Sequence, residues 1–108
     1  MRKRKDANHN LIANEFTARG ATFQDLSQYP KQLDGLVGFR GINRWIEIKD
    51  GDKPPSARKL TPAENEIFET WGGTVERVET TKDVERVLRA MAEEALILAR
   101  SRINRGEI

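Results

Sequence analysis

The chain has 108 residues and no cysteine, with 33% charged residues, 37% hydrophobic residues and a net charge of +2. That length bounds a single domain, residues 1–108, with a modest core. Without cysteine there are no disulfides, thiolate nucleophiles or Cys-ligated zinc, which fits a reducing cytoplasm. No apolar run approaches the ~18 residues of a membrane span, and no secretory signal is present. A charge of +2 is too small for the whole surface to bind a polyanion, so local basic clusters matter more. They are Arg2-Lys3-Arg4-Lys5 in a basic tail over residues 1–5, and Lys53, Arg58 and Lys59 in the middle of the chain.

In chain order, Asn8, Leu11, Ile12, Glu15, Phe16 and Arg19 recur at helical spacing and predict a first helix over residues 6–19, ended by Gly20 at C′. Asn8 and Glu15 lie along its apolar stripe. His9 is the sole histidine and cannot make a zinc site by itself. It reads as a surface residue near the helix start, with general acid or DNA contact as the functional alternatives. Ala21 to Ser27 reads as a strand. A loop over Gln28 to Lys31 follows, broken by Pro30. Tyr29 in that loop either packs locally or stacks on a base.

Strand signals then flank Arg40-Gly41, over Leu33 to Phe39 and Ile42 to Lys49, and predict a hairpin. With the turn centred on Arg40-Gly41, Phe39 faces Ile42, Leu36 faces Trp45 and Asp34 faces Glu47. Alternation puts Leu33, Gly35, Val37, Phe39, Ile42, Arg44, Ile46 and Ile48 on one, nearly all apolar side. Asp34, Glu47 and Lys49 share the other side. Carboxylates placed opposite each other destabilise a sheet. A divalent cation between them is the simplest compensation, since Mg²⁺ takes carboxylate oxygens and keeps open positions.

Residues 50–59 form a loop rich in Gly, Pro and basic residues that leaves the hairpin at this patch. Thr61 as N-cap, Pro62 at N1 and Glu64 closing a capping box start a helix that runs to Trp71 and stops at Gly72-Gly73. Glu64 is read here as a capping residue. Thr74 to Val78 reads as a short strand. Thr80 and Asp83 suggest a second capping box, and Val84, Val87, Leu88, Met91, Ala95 and Leu98 line a last helix to about Arg100. Its second half, Ala92 to Ile103, either packs on a partner subunit or is solvated. Residues 101–108 are expected to form a mobile tail.

The residues of the hairpin carry a family resemblance. Asp34 followed by Glu47-Ile48-Lys49 resembles the Asp…(Asp/Glu)-x-Lys core of the PD-(D/E)XK nucleases. The flanks Asp6-Ala-Asn8-His9, Asp34-Gly-Leu-Val-Gly38, Glu47-Ile-Lys-Asp-Gly51, Lys53-Pro-Pro-Ser56, Lys59-Leu-Thr-Pro62 and Trp71-Gly72 are similar to small phage and bacterial proteins of the VRR-NUC branch, the virus-type replication-repair nucleases. Leu33 departs from the family's Pro, and Glu64 stands where many relatives carry Gln.

The resemblance implies an α/β fold with a restriction-endonuclease-like αβββαβ core, a mixed sheet flanked by helices, and an added C-terminal helix. It implies a Mg²⁺-dependent (or Mn²⁺-dependent) DNA endonuclease acting on branched, flap or junction DNA, with DNA as partner and a homodimer as assembly. Asp34, Glu47 and Lys49 would be catalytic. Asp34, Glu47 and the Ile48 carbonyl would hold the metal, with Glu15 of the first helix as a further candidate ligand. Lys31, Lys53, Arg58 and Lys59 would contact DNA, with Arg4, Lys5 and Tyr29 as further candidates. The alternative from another class is a nuclease-like DNA-binding accessory module without hydrolytic activity.

Overall fold

A computed structural model describes residues 6–107. The basic tail, with Arg4 and Lys5, lies outside the described residues. Three helices and four strands follow in the order α1 (His9–Ala18), β1 (Thr22–Asp25), β2 (Gly35–Phe39), β3 (Ile42–Ile48), α2 (Pro62–Thr70), β4 (Val75–Val78) and α3 (Thr81–Asn104). A short 3-10 turn at Pro55–Arg58 precedes α2. The expected helix, three strands, helix, strand and helix are all present. The terminal strand residues Ala21, Ser27, Leu33, Asp34 and Lys49 fall just outside the ladders.

The sheet is mixed and runs β1-β2-β3-β4, with β1–β2 and β2–β3 antiparallel and β3–β4 parallel. The parallel pair is possible because α2 carries the chain back to the starting edge. Phe39 pairs with Ile42 and Leu36 with Trp45, so the hairpin register is the expected one. Arg40 and Gly41 both adopt positive φ, 51° and 82°. This is the type I′ arrangement, whose twist matches that of paired strands.

Local chemistry sets the helix ends. Gly20 (φ 94°) closes α1 in a Schellman motif, with Gly20 N donating to Thr17 O at 3.1 Å and Ala21 N to Phe16 O at 3.0 Å. Both expected capping boxes are formed, Thr61 with Glu64 and Thr80 with Asp83.

Because side chains alternate along a strand, Val37, Ile42, Ile46, Ile48 and Val78 present one apolar face. Ile12 and Phe16 of α1 and Val84, Val87, Leu88 and Met91 of α3 cover it. Arg44 is also on this face and is buried, with Nη1 on Glu76 at 2.6 Å and Nη2 on Glu94 at 2.9 Å. The core side is thus not purely apolar, and one buried guanidinium ties β3 to β4 and α3. The opposite face carries Leu36, Trp45, Glu47 and Lys49, and α2 lies against it through Glu64 and Trp71.

Past Met91 the last helix outruns the sheet. Leu96, Ile97, Leu98 and Ile103 are exposed. No helix among the described residues is long and apolar enough to cross a membrane.

Candidate active site

Three elements meet at one end of the sheet. Asp34 stands just before β2. Three constraints place it: the hairpin register, a 2.8 Å bond from Leu26 N to its carbonyl, and a 2.8 Å bond from Ile48 N to its Oδ2. Glu47 ends the outward-alternating positions of β3, and Lys49 follows it two residues on. Lys49 Nζ lies 3.4 Å from Glu47 Oε2 and 2.9 Å from Glu64 Oε1. Exposures of 3% for Asp34, 1% for Glu47, 8% for Lys49 and 3% for Glu64 make this a buried polar cluster rather than a set of surface charges.

The backbone is oriented as well. A strand residue points its N–H and C=O to the same side. Lys49 N donates to Val78 O of β4 at 3.0 Å. The polar groups of Ile48 therefore point the other way, towards Asp34, as the bond from Ile48 N to Asp34 shows. The Ile48 carbonyl shares that side. Asn8, at the start of α1, fastens the strand ends: its Nδ2 donates to Lys49 O at 3.1 Å and to Glu79 O at 2.9 Å.

Glu64 does two jobs with one oxygen. Its Oε1 accepts from Thr61 N at 2.9 Å, closing the capping box, and from Lys49 Nζ. The capping role was legible in Thr61-x-x-Glu64. The partnership with Lys49 was not, because it depends on where the first turn of α2 comes to rest.

Burial pushes the Glu64 carboxyl up, but the Thr61 N–H, Lys49 and a hydrogen bond with Glu47 pull harder and leave its pKa at about 2. Burial likewise pushes Lys49 down, yet the bond to Glu64 and the charges of Glu47 and Glu64 raise it above the ordinary lysine value. Lys49 is therefore an ammonium and not a base in this state.

A stability prediction follows from Glu64. Its folded pKa lies below its unfolded one, so its contribution is complete above about pH 4.5 and drains away as pH falls towards about 2. The amount at stake is on the order of 3 kcal/mol. Thermal unfolding followed from pH 6 to pH 2 should show this loss. Glu64→Gln, which keeps a capping side chain, should flatten that part of the curve; an unchanged slope would refute the assignment.

Other expected site residues lie elsewhere. Glu15 does not join the cluster: its Oε2 accepts from Arg19 Nε at 2.6 Å, and Arg19 Nη2 continues to Glu85 at 3.1 Å. The i, i+4 spacing within α1 captures the carboxylate before it can reach the sheet. His9 is no surface residue; it is 1% exposed, with Nε2 3.3 Å from Asp25 Oδ2, and Asp25 Oδ1 accepts from Ser27 N and Oγ. That chain of bonds braces the loop leading to Asp34. Tyr29, Lys31 and Lys59 are exposed. Lys53 pairs with Asp6 at 3.4 Å and Arg58 with Glu79 at 2.9 Å.

Among the described residues no three His, Cys, Asp or Glu side chains converge closely enough to hold an ion by themselves. Mg²⁺ needs fewer, since it binds through one or two carboxylates and keeps several waters. Asp34, Glu47 and the Ile48 carbonyl are all hard oxygen donors, the type such an ion takes. The chain matches no family model, no curated protein and no solved structure.

Proposed function

We propose that this protein is a Mg²⁺- or Mn²⁺-dependent DNA endonuclease with a PD-(D/E)XK-type site and a restriction-endonuclease-like core of the VRR-NUC kind. One observation carries the reading: Asp34, Glu47 and Lys49 are all buried at one sheet end, with Glu64 against Lys49. Asp34, Glu47 and Glu64 bring carboxylate oxygens to the same buried end of the sheet as the Lys49 ammonium. Buried carboxylates are paired, hydrogen-bonded or bound to a metal, and a divalent cation takes such oxygens. The order of helices and strands around the mixed sheet supports the same assignment.

Asp34 and Glu47, with the Ile48 carbonyl, would hold the ion. Such an ion would supply polarisation of a phosphoryl oxygen and a lowered pKa for a water bound to it. Lys49, held charged by Glu64, orients that water and offsets negative charge growing on the phosphoryl oxygens. Asn8 keeps the ends of β3 and β4 together so that Ile48 and Lys49 do not drift. Tyr29, Lys31 and Lys59 offer exposed contacts to DNA. The pairs of Lys53 and Arg58 cost little to exchange for phosphate, since partly exposed ion pairs are worth about 0–1 kcal/mol.

A second copy of the chain completes the reading. Leu96 and Ile103 are one heptad apart, with Ala99 between them and Ala92 one turn before Leu96. Antiparallel pairing of two such seams sets Glu93 opposite Arg100 of the partner subunit, twice by symmetry. Neither residue has an ion-pair partner among the described residues. Two sites per dimer suit cutting of two strands.

The test is one panel of labelled linear, flap and four-way-junction DNAs with Mg²⁺, Mn²⁺ or EDTA, beside a light-scattering mass. Cleavage that needs the ion, by a particle of twice the chain mass, is expected. Binding to DNA without cleavage under any ion would instead favour the accessory DNA-binding module.

A further inference from the structure

Glu47 has a neighbour on its own side of β3. Trp45 is two residues away, about 7 Å along the strand. Trp71, at the end of α2, meets it edge to face, with ring centroids 5.4 Å apart and planes at 88°. The two ends of α2 thus bracket this face: Glu64 in its first turn holds Lys49, and Trp71 at its last holds Trp45. Although it makes this contact, Trp71 stays 51% exposed. Nothing lies within 4 Å of where a Cβ on Gly72 would be, while a Cβ on Gly73 would stand 3.1 Å from the indole Nε1, so the glycines let the chain turn closely past one edge of the ring.

Leaving a large ring half in water forgoes apolar burial. Here it lies on the same face of the sheet as the proposed phosphodiester site, against Trp45, which is two residues from Glu47. We infer that Trp71, backed by Trp45, is a stacking platform for an unpaired nucleobase next to the phosphate held at Asp34, Glu47 and Lys49. The inference rests on that phosphodiester site and names the side chain that would select unpaired DNA there. In a duplex every base is stacked and paired, so its face is closed to a side chain. A base in a flap, at a branch or in a single strand offers its face freely. Any base satisfies the platform, so it selects DNA by form and not by sequence.

Stacking of one base on an aromatic side chain is worth about 1–3 kcal/mol, or roughly 5- to 150-fold in affinity. The experiment measures binding in EDTA with Asp34→Asn protein, so nothing is cut. The probes are a short single strand, a flap and a blunt duplex of the same sequence. The chain has two tryptophans, so adding Trp45→Phe leaves Trp71 as the sole indole fluorophore.

Single strand and flap should quench Trp71 emission, and the blunt duplex should not. Trp71→Leu should weaken single-strand and flap binding about tenfold or more and leave duplex binding unchanged. Trp71→Phe, which keeps a ring and guards against a folding defect, should retain most of the affinity. Absence of quenching, or equal loss for all three DNAs in Trp71→Leu, overturns the platform. Ion-dependent cleavage by wild-type protein alongside unchanged discrimination in Trp71→Leu overturns the platform alone. Intact discrimination without cleavage by wild-type protein overturns the nuclease reading alone.

Discussion

Asp34→Asn is expected to lower ion-dependent cleavage by about 10³-fold or more while the fold survives. Asparagine is nearly the same shape, and its amide oxygen can still accept from Ile48 N, the 2.8 Å bond that Asp34 now makes. What it loses is the charge. Metal assistance is worth several kcal/mol of transition-state stabilisation, and each 1.36 kcal/mol is tenfold in rate. A second readout does not depend on turnover: Mg²⁺ or Mn²⁺ should raise the wild-type unfolding temperature by mass action, and the variant should lose that gain. Asp34→Ala is a poorer probe, because it orphans a buried N–H at a cost of about 1–3 kcal/mol.

Lys49→Ala should also abolish cleavage, by about 10²–10³-fold if its charge acts only on the phosphoryl oxygens. It carries a folding penalty that Asp34→Asn does not, since Glu47 and Glu64 would be left buried without their ammonium. The informative comparison is therefore at a temperature where both variants are folded. Full ion-dependent activity in Asp34→Asn would rule out a metal held at this carboxylate.

Arg44→Ala should be the most destabilising single change outside the site, by about 3 kcal/mol. Its guanidinium is buried on the core face between Glu76 and Glu94, and removing it leaves those acids facing a cavity. Glu94 is half exposed and can turn to water, and Glu76 keeps Arg86 at 3.2 Å, so the loss stays at the lower end of the range for a broken buried pair. At about 4–8 °C per kcal/mol, the unfolding temperature should fall by at least about 12 °C. Arg44→Met should cost about 1 kcal/mol or less, because a long apolar side chain fills the space and removes an Nε that has no acceptor among the described residues. Equal losses in the two variants would mean that Arg44 acts by volume and not by charge.

What could be read directly from the chain has a short reach. The period-2 alternation about Arg40-Gly41 determined the hairpin register, because a one-residue slip would turn Val37, Ile46 and Ile48 to water. Gly20 and the Thr-x-x-acid pairs at Thr61 and Thr80 determined three helix ends, since each motif satisfies backbone groups within a few residues. The same register carries Asp34, Glu47 and Lys49 to one end of the sheet, where all three are buried.

The tertiary structure decided everything that joins distant segments. Lys49 meets Glu64 only because the 50–59 loop sets α2 across the outer face. Arg44 finds Glu94 only because α3 returns over the core. His9 is buried, though one histidine beside a helix start carries no sign of its surroundings. Glu15 went to Arg19 because a neighbour one helical turn away is always within reach, whereas the sheet is not. Backbone periodicity is a local property that a sequence displays; the partner of a buried charge is set by how the chain folds back on itself.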